Sequence, residues 1–406
     1  IISDEPWLQK YTGKVLTLLA FRPSWGIAGR QPGQNYLQYS VLTTNSTGYM
    51  DMSAVYPTRI RLDGLKWEKV TSLNLGFDME LWNGKVSVIY DWYKKRTDDL
   101  LFKDIDIPSS SGFATLTYKN VGRMDNDGWE LTVNFNKVVE KGKFSLDINT
   151  NFATNKNKIV SLGGTPNFQY ASGNVSMPYK MMVVEGGSLG DIYGNVFVRD
   201  ANGKILLEPA TDKDGNPNAK AGLPQVTTDK AAKIGNFNPD WTLGWSNTVT
   251  YKGFSLYFLI DARVGGDVIS LTQAGLDYAG VSKATGDARN AGYYMLEGQK
   301  INDVQKFYQM VGDRGNGTTE FYRYDGTNIR LREVSLGYSF PQQMLEKTGF
   351  IKGIDLSLVA RNLFFIYKDA PFDPDATMSV GNDNQGLDTF GMPSTRNIGF
   401  NIKFTF

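Results

Sequence analysis

From Arg396 to Phe406 the chain reads RNIGFNIKFTF. Ile398, Phe400, Ile402, Phe404 and Phe406 alternate with Asn397, Gly399, Asn401, Lys403 and Thr405. A strict period of two puts one set of side chains on each face of an extended strand, and no helix keeps such a row together. The same period recurs upstream. SLNLGFDMELW sets Leu73, Leu75, Phe77, Met79 and Leu81 against Asn74, Asp78 and Glu80. KVSVIYDWY, WELTVNFN and FSLDINTNF repeat it, as do 15–26, 241–251, 254–264, 328–340 and 353–363. About ten strands result, each near or above the ~9–11 residues with which a tilted strand crosses a bilayer.

Each strand has an apolar face and a polar face, which a soluble sandwich would also satisfy. The connections separate the two. Asn83-Gly84 is a two-residue hairpin signal, Lys252-Gly253 another; KVVEKGK and PQQMLEKTGFIK close two more pairs. Between these short links lie long ones, at about 27–71, 97–128, 155–240, 265–327 and 364–394. Short and long alternate throughout. Compact domains have no use for that pattern, whereas outer-membrane barrels do, with short periplasmic turns and long outer loops. The expected fold is therefore all-β, a transmembrane antiparallel barrel wall. Trp92, Tyr93, Trp129 and Trp241 would mark the outer interface, with Trp82 and Tyr251 marking the inner one.

Composition narrows the function. Lys+Arg 43 against Asp+Glu 42 leaves no basic excess for nucleic acid. With neither Cys nor His in the 406 residues, disulfides, thiolate sites, His-ligated zinc and Ser-His-Asp triads are excluded within them. The opening IISDEPW carries no methionine and no signal peptide, and reads as a mature or truncated start. No apolar run reaches the ~18 residues of a membrane helix, so a membrane would be met with strands.

LKWEKVTSLNLGFDMEL, WYKKRTDDLL, NVGRMDNDGWEL, IGNFNPDWTLGWSNTVTYKGFSL and ARNLFFIYKDAPFDPD resemble the C-terminal barrel half of SusC-like (RagA-type) TonB-dependent outer-membrane transporters of Bacteroidetes. The resemblance runs from about residue 21 to residue 406. It implies a barrel of about 22 strands, of which these are the last ten or so, around an N-terminal plug domain that is not in this sequence. It further implies a SusD-like surface lipoprotein as lid, the TonB complex acting on the plug, and import of an oligosaccharide or, less often, a peptide. A terminal Phe406 is the kind of residue that the barrel-assembly machinery reads in this class. No cofactor is implied.

The loops hold the candidate sites. Tyr170, Tyr179, Tyr193 and Phe197 line the longest loop, and Tyr278, Tyr293 and Tyr294 the next; aromatic faces stack on sugar rings, or else pack loop on loop. DKDGNPN places Asp212, Asp214 and Asn216 as the start of a calcium loop, although no glutamate follows at the twelfth position, so a polar turn is the better fit. DPDATMSVGNDNQGLD (373–388) reads as a solvated acidic loop. Ile301, Val304, Phe307, Tyr308 and Val311 have helical spacing. VGGD (264–267) and VEGGSLGD (184–191) read as turns, without the context of a phosphate loop. Beside import stand two alternatives: a self-contained ten-stranded barrel working as an enzyme, with only carboxylates such as Asp98 and Asp99, or as an adhesin.

Overall fold

The computed structural model describes residues 1–7, 15–45, 52–171, 179–346, 349–379 and 385–406. Ten strands form one sheet: β1 (Leu16–Arg30), β2 (Glu68–Leu81), β3 (Val86–Asp98), β4 (Arg123–Lys141), β5 (Phe144–Ser161), β6 (Trp241–Tyr251), β7 (Phe254–Val264), β8 (Asn328–Ser339), β9 (Gly353–Lys368) and β10 (Asn397–Thr405). Each pairs antiparallel with its neighbour in sequence, so the sheet is an uninterrupted meander, and β1 and β10 do not pair with each other. Among the described residues no helix is long and apolar enough to cross a membrane.

Register carries the alternation across the whole sheet. Leu336 of β8 faces Leu256 of β7 and Leu358 of β9, and Leu358 faces Phe400 of β10. In a sandwich these side chains would be covered. Here Leu336, Leu358 and Phe400 are 51%, 54% and 79% exposed, which is the arrangement of a wall whose apolar face meets lipid. The opposite face carries charge. Arg22 of β1 reaches Asp78 of β2 at 2.6 Å and Asp91 of β3 at 3.1 Å, while Arg361 of β9 bonds Glu333 of β8 at 2.9 Å. Gly76 lies beneath the Arg22 clamp, where an added Cβ would stand 2.7 Å from Asp91 and 2.8 Å from the guanidinium. Only glycine leaves that bridge its path.

The four short links all lie at one end of the sheet and the five long ones at the other. Trp82, Asn83 and Gly84 adopt left-handed backbone in the first turn, and Lys252 and Gly253 in the third. The second is tighter than expected. Lys137 takes a left-handed conformation at a bulge, its amide bonds Asp147 at 2.9 Å, and β4 continues to Lys141 before turning at Gly142.

Strands also run farther outward than the alternation shows. β4 has 19 residues and β5 has 18, well beyond the ~9–11 needed for a crossing. Past Trp129 both faces meet water, so the sequence stops alternating, and cross-strand charges continue the ladder. Asp125 and Asp127 face Lys158 and Lys156, Arg96 bonds Asp125 at 2.9 Å, and Arg123 bonds Asp98 at 2.6 Å.

The outer aromatic belt is a row of packed rings. Tyr90, Trp129, Phe152 and Trp241 follow one another across β3 to β6, with ring centres 6.1, 4.7 and 5.5 Å apart. Trp92 faces Trp129. Trp241 and Tyr251 close the two ends of the 11-residue β6, one crossing apart. Tyr93 does not belong to this belt: it has the opposite parity, and its hydroxyl donates to Asn155 on the polar face at 2.9 Å.

The two faces should therefore respond differently to charge. We expect Leu358→Arg to destabilise the folded barrel by about 2–4 kcal/mol, the range for arginine at the lipid midplane. Ser357→Arg, on the polar face beside Gly337, should cost under about 1 kcal/mol. Heat-modifiable gel mobility of both variants, refolded into vesicles across a urea series, measures the difference; equal losses would refute the assignment of faces.

Candidate functional site

The long connections pack into a lobe beyond the outer end of the sheet, and most fully buried side chains among the described residues lie there. Phe197, Ile205 and Leu223 of the 162–240 connection share a core with α1 (Leu271–Tyr278), α2 (Lys283–Ala291) and α3 (Val304–Val311) of the 265–327 connection. Asp303 caps α3 by accepting from the Lys306 amide, and this bond, with the Lys306 side chain, holds its carboxyl below the usual range. The expected helix begins after Ile301, which is buried at the end of a short strand over Gln299–Ile301. A second cluster joins Ile105 and Val121 to Ile159, Phe168 and Val183, and a third joins Tyr179, Met181 and Phe237 to Ile269 and Leu387. Four connections thus share one body.

Within it, the seven aromatic candidates separate. Tyr179 is 8% exposed, and burial pushes its hydroxyl well above the ordinary range. Phe197 is buried edge-on against Phe321 at 6.3 Å. Tyr294 stacks on Phe307 at 4.9 Å, and Tyr170 packs edge-on to Phe102 at 6.4 Å. Tyr193 is half-buried, with its hydroxyl pushed up chiefly by burial. Tyr278 and Tyr293 face solvent, with the Lys300 ammonium 4.7 Å from the Tyr293 ring centre. Tyr278 borders a recess of about 290 Å3 whose walls include Asp277, Thr285, Arg289, Gln305 and Tyr308. That mixture of ring face, hydroxyl, amide and charge suits a hydroxyl-rich ligand.

Asp212 folds back on its own turn. Its Oδ1 accepts from the amides of Asp214 at 2.9 Å and Asn216 at 2.8 Å, and Gly215 is left-handed. Among the described residues no group of three or more His, Cys, Asp and Glu stands together as metal ligands. Phe406 is exposed and stacks on Phe350, 6.2 Å away and nearly parallel.

Of the acidic segment 373–388, residues 380–384 lie outside the described residues, and the rest is not a solvated loop. Arg330 of β8, 1% exposed, bonds Asp373 at 2.5 Å and Ser394 at 3.1 Å, with Phe365 4.0 Å beneath its guanidinium. Arg332 bonds Asp375 at 3.1 Å and Asp261 of β7 at 3.3 Å. Ser270 and Thr272, at the start of α1, donate to the buried Asp388 at 2.5 and 2.9 Å. The carboxylates hold the 369–396 connection to the strands on one side and to the lobe on the other. Burial alone would raise the Asp373 carboxyl, but bonds from Ser394 and the Asp375 amide, and the Arg330 charge, outweigh it and hold it below the usual range. The alternation by itself does not single out these arginines. The sign that could have found them is Arg330-x-Arg332 at the outer end of an alternating strand, in the same chain as the paired acids of FDPD. Inward of this latch, a recess of about 400 Å3 on the polar face is bordered by Glu130, Thr132, Asn151, Asp261, Arg263 and Asp375.

Known proteins share this arrangement. The family described as TonB dependent receptor-like, beta-barrel matches residues 18–363. TonB-dependent receptor P3 of Formosa agariphila is 29% identical over 408 residues, covering 96% of this chain and 40% of that protein. TonB-dependent receptor SusC of Bacteroides thetaiotaomicron is 26% identical over 393 residues, covering 93% of this chain and 37% of that protein. The solved RagAB peptide transporter superposes with a TM-score of 0.68 at 20% identity, covering 99% of this chain and 42% of that one. The chain spans about two-fifths of the length of the curated relatives it matches.

Removing one partner of the latch should leave the other charged and buried. Asp373→Ala is expected to cost about 3–5 kcal/mol locally and to make the 369–396 connection a protease site, read by limited proteolysis and peptide mapping. Because the folded carboxyl lies below its unfolded value, its stabilisation is full above pH ~4 and fades as pH falls through the folded value. Wild-type protein should therefore become cleavable there only under strongly acid conditions; unchanged resistance in Asp373→Ala at neutral pH would refute the latch.

Proposed function

This chain belongs to the TonB-dependent receptor-like β-barrel family of the outer membrane, and on that premise we propose that it forms part of the wall and outer lobe of an active importer of bulky nutrients. The observation that carries this reading is the open sheet. Among the described residues, β1 and β10 each leave an edge unpaired in the zone that faces lipid, where unsatisfied backbone groups cost several kcal/mol each. Further strands must meet those edges, and a wall of about 22 strands encloses a lumen wide enough for a plug. A polar inner face, with Arg22, Asp78, Asp91, Glu333 and Arg361 on it, suits that wet interior.

The TonB complex acts through a plug domain separate from residues 1–406, in keeping with relatives that are TonB-dependent receptors. A SusD-like lipoprotein covers the lobe as a lid, and the barrel-assembly machinery reads Phe406. The cargo is an oligosaccharide, received first at the recess beside Tyr278, whose exposed ring can stack on a sugar face. A peptide is the second reading; the fold likeness to the RagAB peptide transporter favours it. A self-contained enzyme or adhesin of ten strands is disfavoured by the same open edges.

The test begins with the denatured mass of the parent polypeptide, then compares uptake of labelled oligosaccharides and oligopeptides by cells with and without it, energised and de-energised. A mass more than twice 45.2 kDa with energy-dependent uptake is expected. Tyr278→Ala should weaken oligosaccharide binding about 3–10-fold. A mass near 45.2 kDa would overturn the importer.

A further inference from the structure

A second recess lies on the other side of α1, with different chemistry. It has a volume of about 210 Å3, and its buried walls are Ile269, Ala274, Val311, Gly312, Tyr322 and Thr319, whose hydroxyl accepts from the Asn195 amide at 3.3 Å. Its exposed lining residues are Arg314 and Phe390. For scale, an apolar cavity of about 150 Å3 accommodates benzene.

Three features mark it as a place made for a ligand group. Phe390 is held in left-handed backbone, at φ 46°, a conformation that bulky side chains rarely adopt. Its amide bonds Thr272 at 2.7 Å, in the same cluster as Asp388, and its ring lies close to Gly275, where an added Cβ would be 3.0 Å away. The backbone is thus strained where it carries an exposed ring along one wall. Second, the Thr389 hydroxyl, which lines the recess, is buried and has no hydrogen-bond partner. Third, Arg314 makes no ion pair among the described residues, while the neighbouring Asp313 turns its Oδ1 to the Gly315 and Asn316 amides at 3.0 and 2.7 Å. The Tyr322 hydroxyl is also engaged, donating to Asp277 at 3.1 Å. What faces the recess is the Arg314 cation, the Thr389 hydroxyl, the outer oxygen of Asp313 and an apolar hollow of single-ring size.

We propose that this recess binds an apolar carboxylate, such as the C-terminal residue of a peptide with an aromatic or branched aliphatic side chain. The side chain fills the hollow against Val311 and Phe390, the carboxylate meets Arg314, and the Thr389 hydroxyl bonds the adjoining amide. The proposal rests on the import reading in its second, peptide form, and adds to it that such a cargo is held by its C-terminus.

The test uses the full-length parent protein in nanodiscs, titrated with N-acetyl-phenylalanine and with its primary amide by calorimetry. The acid should bind at least tenfold tighter than the amide. Arg314→Gln should abolish that preference. Phe390→Gly, which relieves the strained backbone and so keeps the fold, should weaken the acid about tenfold. Equal affinity for acid and amide, or no response to either variant, would overturn the proposal. Its failure is separable from that of import: energy-dependent uptake without acid-selective binding removes only this site, and acid-selective binding without uptake removes only the importer.

Discussion

In hydrocarbon a backbone N–H or C=O has no water to fall back on, so each must be paired within the protein. Everything in this chain answers to that requirement. Ten strands pair in sequence order, and at β6 the wall spans one crossing from Trp241 to Tyr251. The four short links can be brief because neighbours in the sheet are neighbours in the chain. The same rule makes β1 and β10 the informative strands, since among the described residues each has an edge without a partner strand.

Meeting lipid turns burial inside out. On the wall, Leu336, Leu358 and Phe400 are apolar and exposed, while Arg22, Asp78 and Asp91 cluster on the inner face. The conventional core lies elsewhere, in the lobe built by the long connections. Its aromatics are mostly structural. Phe197, Tyr179 and Tyr294 hold the loops to one another, while Tyr278 and Tyr293 face solvent.

Charge joins these two halves. Arg330 and Arg332 belong to a strand of the wall, and their carboxylate partners belong to the 369–396 connection. Desolvating such a set is costly unless every member is paired, so the cluster fixes one position of the connection firmly. Asp388, bonded to Ser270 and Thr272, passes that position on to the start of α1, between the two recesses of the lobe. The wall therefore sets where the recesses of the lobe stand.

What could be read in advance was periodic or local. The alternation at Ile398, Phe400 and Ile402, the Asn83-Gly84 turn and the helical spacing of Val304, Phe307 and Val311 depend on neighbours two to four residues away, so the sequence alone determined strands, turns, face polarity and the barrel class. Strand ends beyond Trp129 were not readable, because with water on both sides nothing forces the pattern to alternate. Nor could a row of letters distinguish Tyr294 in the core from Tyr278 at the surface, or a solvated Asp373 from one bonded to Arg330. Those distinctions depend on contacts between residues tens to hundreds of positions apart, such as Asp373 with Arg330 or Asp388 with Ser270. Only the tertiary structure decided them, because burial and pairing belong to the assembled lobe and to no segment of it.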